Sequence, residues 1–149
     1  MSRRLGKTEA NWQSCSLRKW LNNEFLNSAF SLNEQKMINT VAVKPHKNKV
    51  YDTDCGSTTS DKVFLLSATE MEKYYKSNAL RKSQPTEFAK KQKVLTGGII
   101  KKTAYYWLRT SGKDLSYATV VDSEGLISEY GNLVLSSKYG VRPAMWIRC

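Results

Sequence analysis

The chain contains few of the residues from which metal and catalytic sites are usually built. It has 1 histidine and 3 cysteines among 149 residues, and no Cys-x-x-Cys pair. A structural zinc ion needs about four Cys, His or acidic ligands, and a Ser–His–acid triad needs a nucleophile and an acid beside the histidine. His46 stands alone in a lysine-rich segment, where we interpret it as a solvated loop residue. We therefore expect no bound metal, no cofactor and no enzymatic activity.

Long apolar runs and a secretion signal are absent as well. No stretch approaches the roughly 18 apolar residues of a membrane span. No apolar segment follows the basic residues 1–7, as it would in a signal peptide. The cysteines Cys15, Cys55 and Cys149 are too few and too widely spaced for a disulfide framework. We expect a chain without a membrane span or a signal peptide, and with free thiols.

The chain does contain enough apolar material for a folded domain. It is 40% hydrophobic and 11% aromatic, a composition that supports a core rather than disorder. Its length is typical of one domain. We predict a tail over residues 1–10 and a single domain over residues 11–149.

Positive charge is abundant and unevenly distributed. The net charge is +11, with 19 Lys/Arg against 9 Asp/Glu in residues 1–102 and 5 against 4 in residues 103–149. A basic surface attracts phosphate backbones without sequence specificity. The lysine-rich stretch 73–102 also contains Tyr74 and Tyr75, whose rings are suited to stacking on bases. A nucleic-acid-binding domain is therefore kept as the alternative function.

Helical signals dominate the first two thirds of the chain. Leu17, Trp20, Leu21 and Phe25 recur at helical spacing after a Ser-Cys-Ser start. Ser-Leu-Asn-Glu at 31–34 and Ser-Ala-Thr-Glu at 67–70 are capping boxes, in which the Ser and Glu side chains satisfy N–H groups of a new helix. The pattern predicts helices from about residue 15, over 31–39, over 67–75 and over 86–93, with a linker over 78–84 and a long surface loop over 44–60.

Strand signals dominate the last third. Runs of β-branched and aromatic residues separated by turn residues are typical of strands. We predict strands over 41–43, 63–66, 105–108, 117–121, 126–130 and 141–147. Asp-Ser-Glu-Gly at 122–125 is a turn-rich connection between two of them. Because helices come first and strands last, the predicted fold class is α+β, with N-terminal helices packed on a C-terminal antiparallel sheet.

The aromatic residues fall into two groups. The tryptophans lie in apolar or periodic segments and are interpreted as core; they are Trp12, Trp20, Trp107 and Trp146. The tyrosines Tyr117, Tyr130 and Tyr139 lie among Ser, Asn, Lys and Asp. This mixture is typical of a binding surface, because tyrosine gives rigid contact area and short polar residues give hydrogen bonds. Half-exposed tyrosines are also ordinary strand residues, and this second interpretation stays open.

Four strings, in this order, resemble a family of bacterial domains of unknown function. They are Trp-x-x-x-Ser-Leu-Arg-Lys-Trp-Leu-Asn-Asn-Glu-Phe at 12–25, Asp-Lys-Val-Phe-Leu-Leu-Ser at 61–67, Trp-Leu-Arg-Thr-Ser-Gly at 107–112 and Gly-Val-Arg-Pro-Ala at 140–144. That family is similar to the C-type-lectin-like domains of formylglycine-generating enzymes and of variable proteins diversified by retroelements. The resemblance covers residues 11–147 and implies a C-type-lectin-like fold that is closed by a strand over 141–147.

The resemblance also implies where a ligand binds. In the variable proteins, late strands and loops rich in Tyr, Ser, Asn and Asp build the ligand surface. The corresponding loop and segment here contribute Lys113, Asp114, Tyr117, Tyr130, Asn132 and Tyr139. The chain departs from the family in two ways. Only eleven residues precede the first string, so the family's first strand pair is expected to be missing. The cysteines do not match the copper-holding pair of the formylglycine-generating enzymes.

We therefore expect a non-catalytic module of a bacterial or phage protein that binds a protein or carbohydrate ligand. The alternatives are the basic nucleic-acid-binding domain and a degenerate oxidase-like enzyme, which would need copper held by two cysteines. The compartment stays open between cytoplasm, phage particle and, for a fragment of a longer protein, the cell surface.

Overall fold

The structure is a computed structural model that describes residues 9–99 and 102–148. Its helices are α1 (Ser16–Trp20), α2 (Leu26–Ala29), α3 (Leu32–Met37), α4 (Ala68–Tyr74), α5 (Asn78–Arg81) and α6 (Glu87–Lys91), and a π-helical turn (Leu21–Phe25) joins α1 to α2. Its strands are β1 (Val41–Val43), β2 (Thr59–Asp61), β3 (Thr96–Gly97), β4 (Thr103–Ala104), β5 (Tyr106–Ser111), β6 (Tyr117–Val121) and β7 (Ile127–Leu133). The predicted α+β class with antiparallel strands is confirmed. No helix in these ranges is long and apolar enough to cross a bilayer.

The strands form three small antiparallel sheets, of which the largest has the order β5–β6–β7. Trp107 lies opposite Val120, and Tyr117 lies opposite Leu133. The predicted hairpin between β6 and β7 is present, with Gly125 at φ +80°. Between β6 and β7 the register shifts where Gly131 has φ +78°, a backbone conformation that glycine adopts without steric cost.

The capping boxes are confirmed. Ser31 and Ser67 each accept a hydrogen bond from the backbone N–H three residues later, and the carboxylates of Glu34 and Glu70 accept from the serine N–H groups. These contacts fix the starts of α3 and α4. The predicted linker over 78–84 is wrong, because it contains α5, whose N-cap is Ser77.

The predicted strands over 63–66 and 141–147 are wrong as regular strands. Phe64 and Ala144 exchange backbone hydrogen bonds of 3.0 and 2.7 Å, and Ile147 bridges to Ile38. Pro143 has no N–H, so this segment cannot continue one ladder through its middle. The closing segment therefore contacts two separate parts of the N-terminal half through single bridges.

Two apolar clusters flank β5. Trp107 belongs to the first, whereas Tyr106 and Leu108 belong to the second. This division follows from strand geometry, because successive side chains point to opposite faces. All six residues of β5 are buried, so this strand is covered on both faces.

Two of the four tryptophans are not in the core. Trp12 and Trp107 are 7% and 9% exposed, but Trp20 and Trp146 are 42% and 54% exposed. The π-helical turn explains Trp20, because the buried positions become Leu21 and Leu26, five residues apart. Trp146 lies in the bridged closing segment, where its neighbour Met145 packs on the core instead.

Candidate functional site

Three of the predicted site residues meet at one end of the β5–β6–β7 sheet. The Tyr117 and Tyr130 rings lie edge to face with centroids 5.3 Å apart. The Lys113 Nζ atom lies 4.3 Å from the Tyr117 centroid and 4.7 Å from the Tyr130 centroid, which are cation–π distances. Tyr51 adds a third ring, 6.2 Å from Tyr130. We call Tyr51, Lys113, Tyr117 and Tyr130 the tyrosine cluster.

The backbone brings the cluster together at Gly112. Its N–H donates to the Tyr117 carbonyl at 2.7 Å, and the Lys113 N–H donates to the Tyr130 carbonyl at 3.0 Å. A Cβ atom on Gly112 would lie 2.5 Å from the Tyr130 carbonyl oxygen and 2.7 Å from Tyr117 Cβ. Because no side chain fits between these strands, glycine is required for Lys113 to reach both rings.

The long loop 44–60 carries Tyr51 to the cluster. The buried Asn48 amide donates to the Ser111 and Glu129 carbonyls at 2.9 and 2.8 Å. The buried Thr53 hydroxyl donates to the Gly112 carbonyl at 2.7 Å. The two side chains flank Tyr51 in sequence and fasten the loop to the end of the sheet. The predicted end of the loop is wrong by two residues, because residues 59 and 60 belong to β2; the loop is irregular over residues 44–58 and anchored on both sides of the ring.

Part of the positive charge near the cluster is paired with carboxylates. The Tyr130 phenol raises the pKa of Lys113, so this amine stays an ammonium ion. In the loop, Lys47 pairs with Asp52 at 2.8 Å, and Lys49 pairs with Glu72. The lysines that approach this end of the sheet are thus neutralised by carboxylates or engaged by aromatic rings.

The other predicted site residues lie elsewhere. Asn132 donates to the Tyr139 hydroxyl at 2.5 Å, and the Tyr139 ring packs on Trp107 with centroids 4.6 Å apart. This pair belongs to the core side of the sheet. Asp114 is exposed, and its carboxylate accepts from the Ser116 N–H at 2.8 Å, which shapes the loop. The six predicted residues are therefore divided between the cluster, a partly buried pair and a loop cap.

Arg109 anchors the start of the loop 44–60 from the interior. Its side chain is 2% exposed and donates to both carboxylate oxygens of Glu70. It also donates to the Lys44 and Leu65 carbonyls, each at 2.9 Å. Burial raises the pKa of Glu70, but the hydrogen bonds and charge of Arg109 outweigh burial and hold that pKa below its ordinary value. The pair stays ionised and fixes the loop to α4 and β5.

His46 is not the solvated loop residue that the sequence suggests. Its Nδ1 lies 2.7 Å from the Ser67 hydroxyl oxygen and 3.5 Å from the Arg109 guanidinium. The Arg109 guanidinium can only donate, so Nδ1 is an acceptor, and the Ser67 hydroxyl, which accepts from the Glu70 N–H at 3.1 Å, donates to it. Ser67 is fully buried and caps α4, which gives the contact a structural role.

Metal-ligating groups are scattered. Within residues 9–99 and 102–148, no three His, Cys, Asp or Glu side chains form an arrangement that could hold a metal ion. Cys15 and Cys55 are both free thiols, and burial raises the pKa of Cys15. Cys149 lies outside the described residues.

The basic stretch 73–102 is separate from the cluster in sequence and only partly neutralised. Lys82 pairs with Glu124 at 2.9 Å, and Lys90 pairs with Glu87 at 2.6 Å. Five further lysines in the described part of this stretch are exposed and form no ion pair with described residues; they are Lys73, Lys76, Lys91, Lys93 and Lys102.

Comparison with known proteins yields one match. The family model described as domain of unknown function (DUF6273) matches residues 2–149. No curated protein and no solved structure matches the chain.

Proposed function

Because the chain belongs to the DUF6273 family, a domain of unknown function, its role has to be inferred from its site, and we propose a non-catalytic module that binds a protein or glycan ligand. The observation that carries the proposal is the tyrosine cluster. Three rings and one ammonium group meet at the end of a sheet, on a hydrogen-bonded backbone, and Tyr130 is 48% exposed. Rigid aromatic side chains give a large contact area at low entropic cost.

We also propose a C-type-lectin-like arrangement for the domain. Its support is the four strings of the sequence and the order of helices followed by antiparallel strands. The long loop at the end of the sheet and the closing segment that bridges back to Ile38 fit the same arrangement. In such a domain the late strands and the long loop share one ligand surface, which is where the cluster lies.

A protein ligand fits the cluster better than a glycan. Val50 precedes Tyr51 and is exposed, and Leu133 lies opposite Tyr117 on the neighbouring strand and is also exposed. Apolar side chains around exposed tyrosines are typical of protein-binding surfaces. The Lys113 ammonium, held between two rings, is placed to donate to a carbonyl or carboxylate of the ligand.

The alternative function is nucleic-acid binding through the basic stretch 73–102. Its support is the group of five exposed lysines without ion pairs, together with the exposed Tyr74 ring. The two proposals use different segments, so variants separate them.

The test is a binding selection on the purified chain. A random peptide library, a glycan array and a fluorescent (dT)20 oligonucleotide are the probes. The variant Tyr51→Ala/Tyr117→Ala/Tyr130→Ala removes the rings, and Tyr74→Ala/Phe88→Ala, on α4 and α6, is the matched control for exposed aromatic residues. We expect peptides or glycans that bind wild type and the control but bind the triple variant at least about tenfold more weakly.

Circular dichroism and thermal melting establish that the variants are folded. If the selected peptides and glycans bind the wild type and the triple variant equally well, the tyrosine cluster is not the ligand surface. Binding of (dT)20 alone, lost when the exposed lysines are replaced by Ala, would establish the nucleic-acid alternative instead.

A further inference from the structure

A small cleft lies between α4, β5 and the closing segment, outside the tyrosine cluster. Its volume is about 50 Å³. Its lining includes the apolar side chains of Leu66, Met71, Leu108 and Pro143, which we call the apolar wall. The polar groups of the lining belong to Tyr75, Tyr106 and Arg142. The cleft thus combines an apolar wall with a single cationic group.

The Arg142 guanidinium is held in a fixed orientation by two phenols. Its Nη1 donates to the Tyr106 hydroxyl at 3.1 Å, and its Nη2 donates to the Tyr75 hydroxyl at 3.3 Å. The Tyr106 hydroxyl in turn donates to the Arg81 carbonyl at 2.6 Å, so it is an acceptor toward Arg142. The guanidinium carbon lies 4.8 and 5.4 Å from the Tyr75 and Tyr106 ring centroids. These contacts preorganise the charge without neutralising it.

Arg142 differs from the other partly buried arginines in what it binds. Arg18 pairs with Asp61 at 2.8 Å, and Arg109 pairs with Glu70. Arg81 has no carboxylate partner but donates to three carbonyl or amide oxygens. Among the described residues, Arg142 donates only to the two phenol oxygens. A partly buried guanidinium with unused N–H groups is a strong site for a carboxylate.

We propose that this cleft binds a carboxylate with a short aliphatic stem, the carboxylate on Arg142 and the stem against the apolar wall. The size of the cleft limits the ligand. One water occupies about 10–15 Å³ of such volume, so a cleft of about 50 Å³ has room for three to five atoms. That is the size of acetate or propionate. A hydroxyl-rich sugar acid is disfavoured, because the apolar wall offers its hydroxyl groups no partners.

The probe is sodium propionate, titrated into ¹⁵N-labelled protein at constant ionic strength, with the Arg142 Nε–H resonance as the readout. Propionamide is the matched neutral probe of the same shape. We expect saturable shifts at Arg142 and Leu108 with propionate, and binding of propionamide at least about tenfold weaker. N-acetylalanine is larger than the cleft, so its acetamido group would extend into solvent while its carboxylate and methyl group enter. Tighter binding than propionate would therefore identify a peptide C-terminus as the source of the carboxylate.

Two variants complete the experiment. Arg142→Gln should abolish the saturable shift, and Tyr75→Phe, which removes one anchor but keeps the ring, should weaken it. Arg148→Gln is the control, since this exposed arginine donates to Asn39 and does not line the cleft. Tyr117→Ala/Tyr130→Ala should leave propionate binding unchanged, so the cleft and the cluster are tested independently.

The comparison of propionate with propionamide on wild type decides the outcome even if Arg142→Gln does not fold. Equal affinity for the acid and the amide would overturn the proposal. So would shifts that stay linear with concentration and spread over exposed lysines, because these would indicate unspecific anion binding.

Discussion

His46 links protonation to stability through its partly buried position beside the Arg109 guanidinium. Burial and the neighbouring Arg109 charge lower the pKa of His46 from its ordinary value of 6.5, and Glu70 opposes this only in part. Above pH 6.5 the histidine is neutral in the folded and unfolded states, and its contribution to stability is complete. As the pH falls through 6.5, the unfolded state takes up the proton first, so the free energy of unfolding decreases until the lower folded pKa is reached.

We expect the urea midpoint of wild type to decrease between pH 7.5 and pH 5.5, and to decrease less in His46→Gln. Glu70 does not interfere in this window, because its lowered pKa removes stability only as the pH falls below about 4.5. Urea unfolding at several pH values measures both slopes. Identical slopes in the two proteins would mean that the titration of His46 does not contribute to the pH dependence of stability.

The residues of the tyrosine cluster differ in how far sequence identifies them. Tyr117 and Tyr130 stand in a strand region with short polar neighbours, and Lys113 begins the loop before it, so local composition is sufficient. Tyr51 has short polar neighbours too, but it stands in the irregular loop far from these strands in sequence, so composition does not assign it to the cluster. Its position depends on Asn48 and Thr53, whose partners are about 60 residues away in the chain. Local patterns contain no information on such contacts.

Among the elements, those fixed by local chemistry were predictable. The starts of α3 and α4 follow from capping boxes that lie within four residues of sequence. The structure of the closing segment could not be predicted from the sequence, because its two bridges join parts of the chain that are far apart. These bridges are Phe64 with Ala144 and Ile38 with Ile147. The π-helical turn was also missed, since a search at a period of 3.6 residues assigns Trp20 to the buried face.

The positions of two tryptophans in the fold predict losses of stability of very different size. Trp107 lies on β5 in the first apolar cluster and packs against Tyr139, so Trp107→Ala should destabilise the fold by about 3–5 kcal/mol. Trp146 is more than half exposed in the closing segment, so Trp146→Ala should cost less than about 1 kcal/mol. Thermal and urea unfolding of both variants provide the comparison. Equal losses would place Trp146 in the core.

At the scale of the whole molecule, the α+β class followed from the order of helical and strand patterns along the chain. The net charge of +11 did not reveal where the charge acts. In the loop 44–60, Lys47 and Lys49 form ion pairs, whereas most of the lysines in the described part of the stretch 73–102 are exposed and form no ion pair with described residues. A ligand at the tyrosine cluster therefore meets a surface on which much of the positive charge is paired, and its binding should depend on shape more than on ionic strength.

The most direct test of the tyrosine cluster is a titration at two salt concentrations. A peptide selected on wild type is titrated at 50 and 200 mM NaCl into wild type, Tyr51→Ala/Tyr117→Ala/Tyr130→Ala and Lys91→Ala/Lys93→Ala/Lys102→Ala. If the cluster is the ligand surface, Kd changes less than about threefold with salt, binding is lost in the tyrosine variant, and the lysine variant binds like wild type. Two results together would contradict the account. One is a loss of affinity of 10³-fold or more between the two salt concentrations, which is the size expected when about six phosphates or equivalent anionic groups are neutralised. The other is a loss of binding in the lysine variant alone.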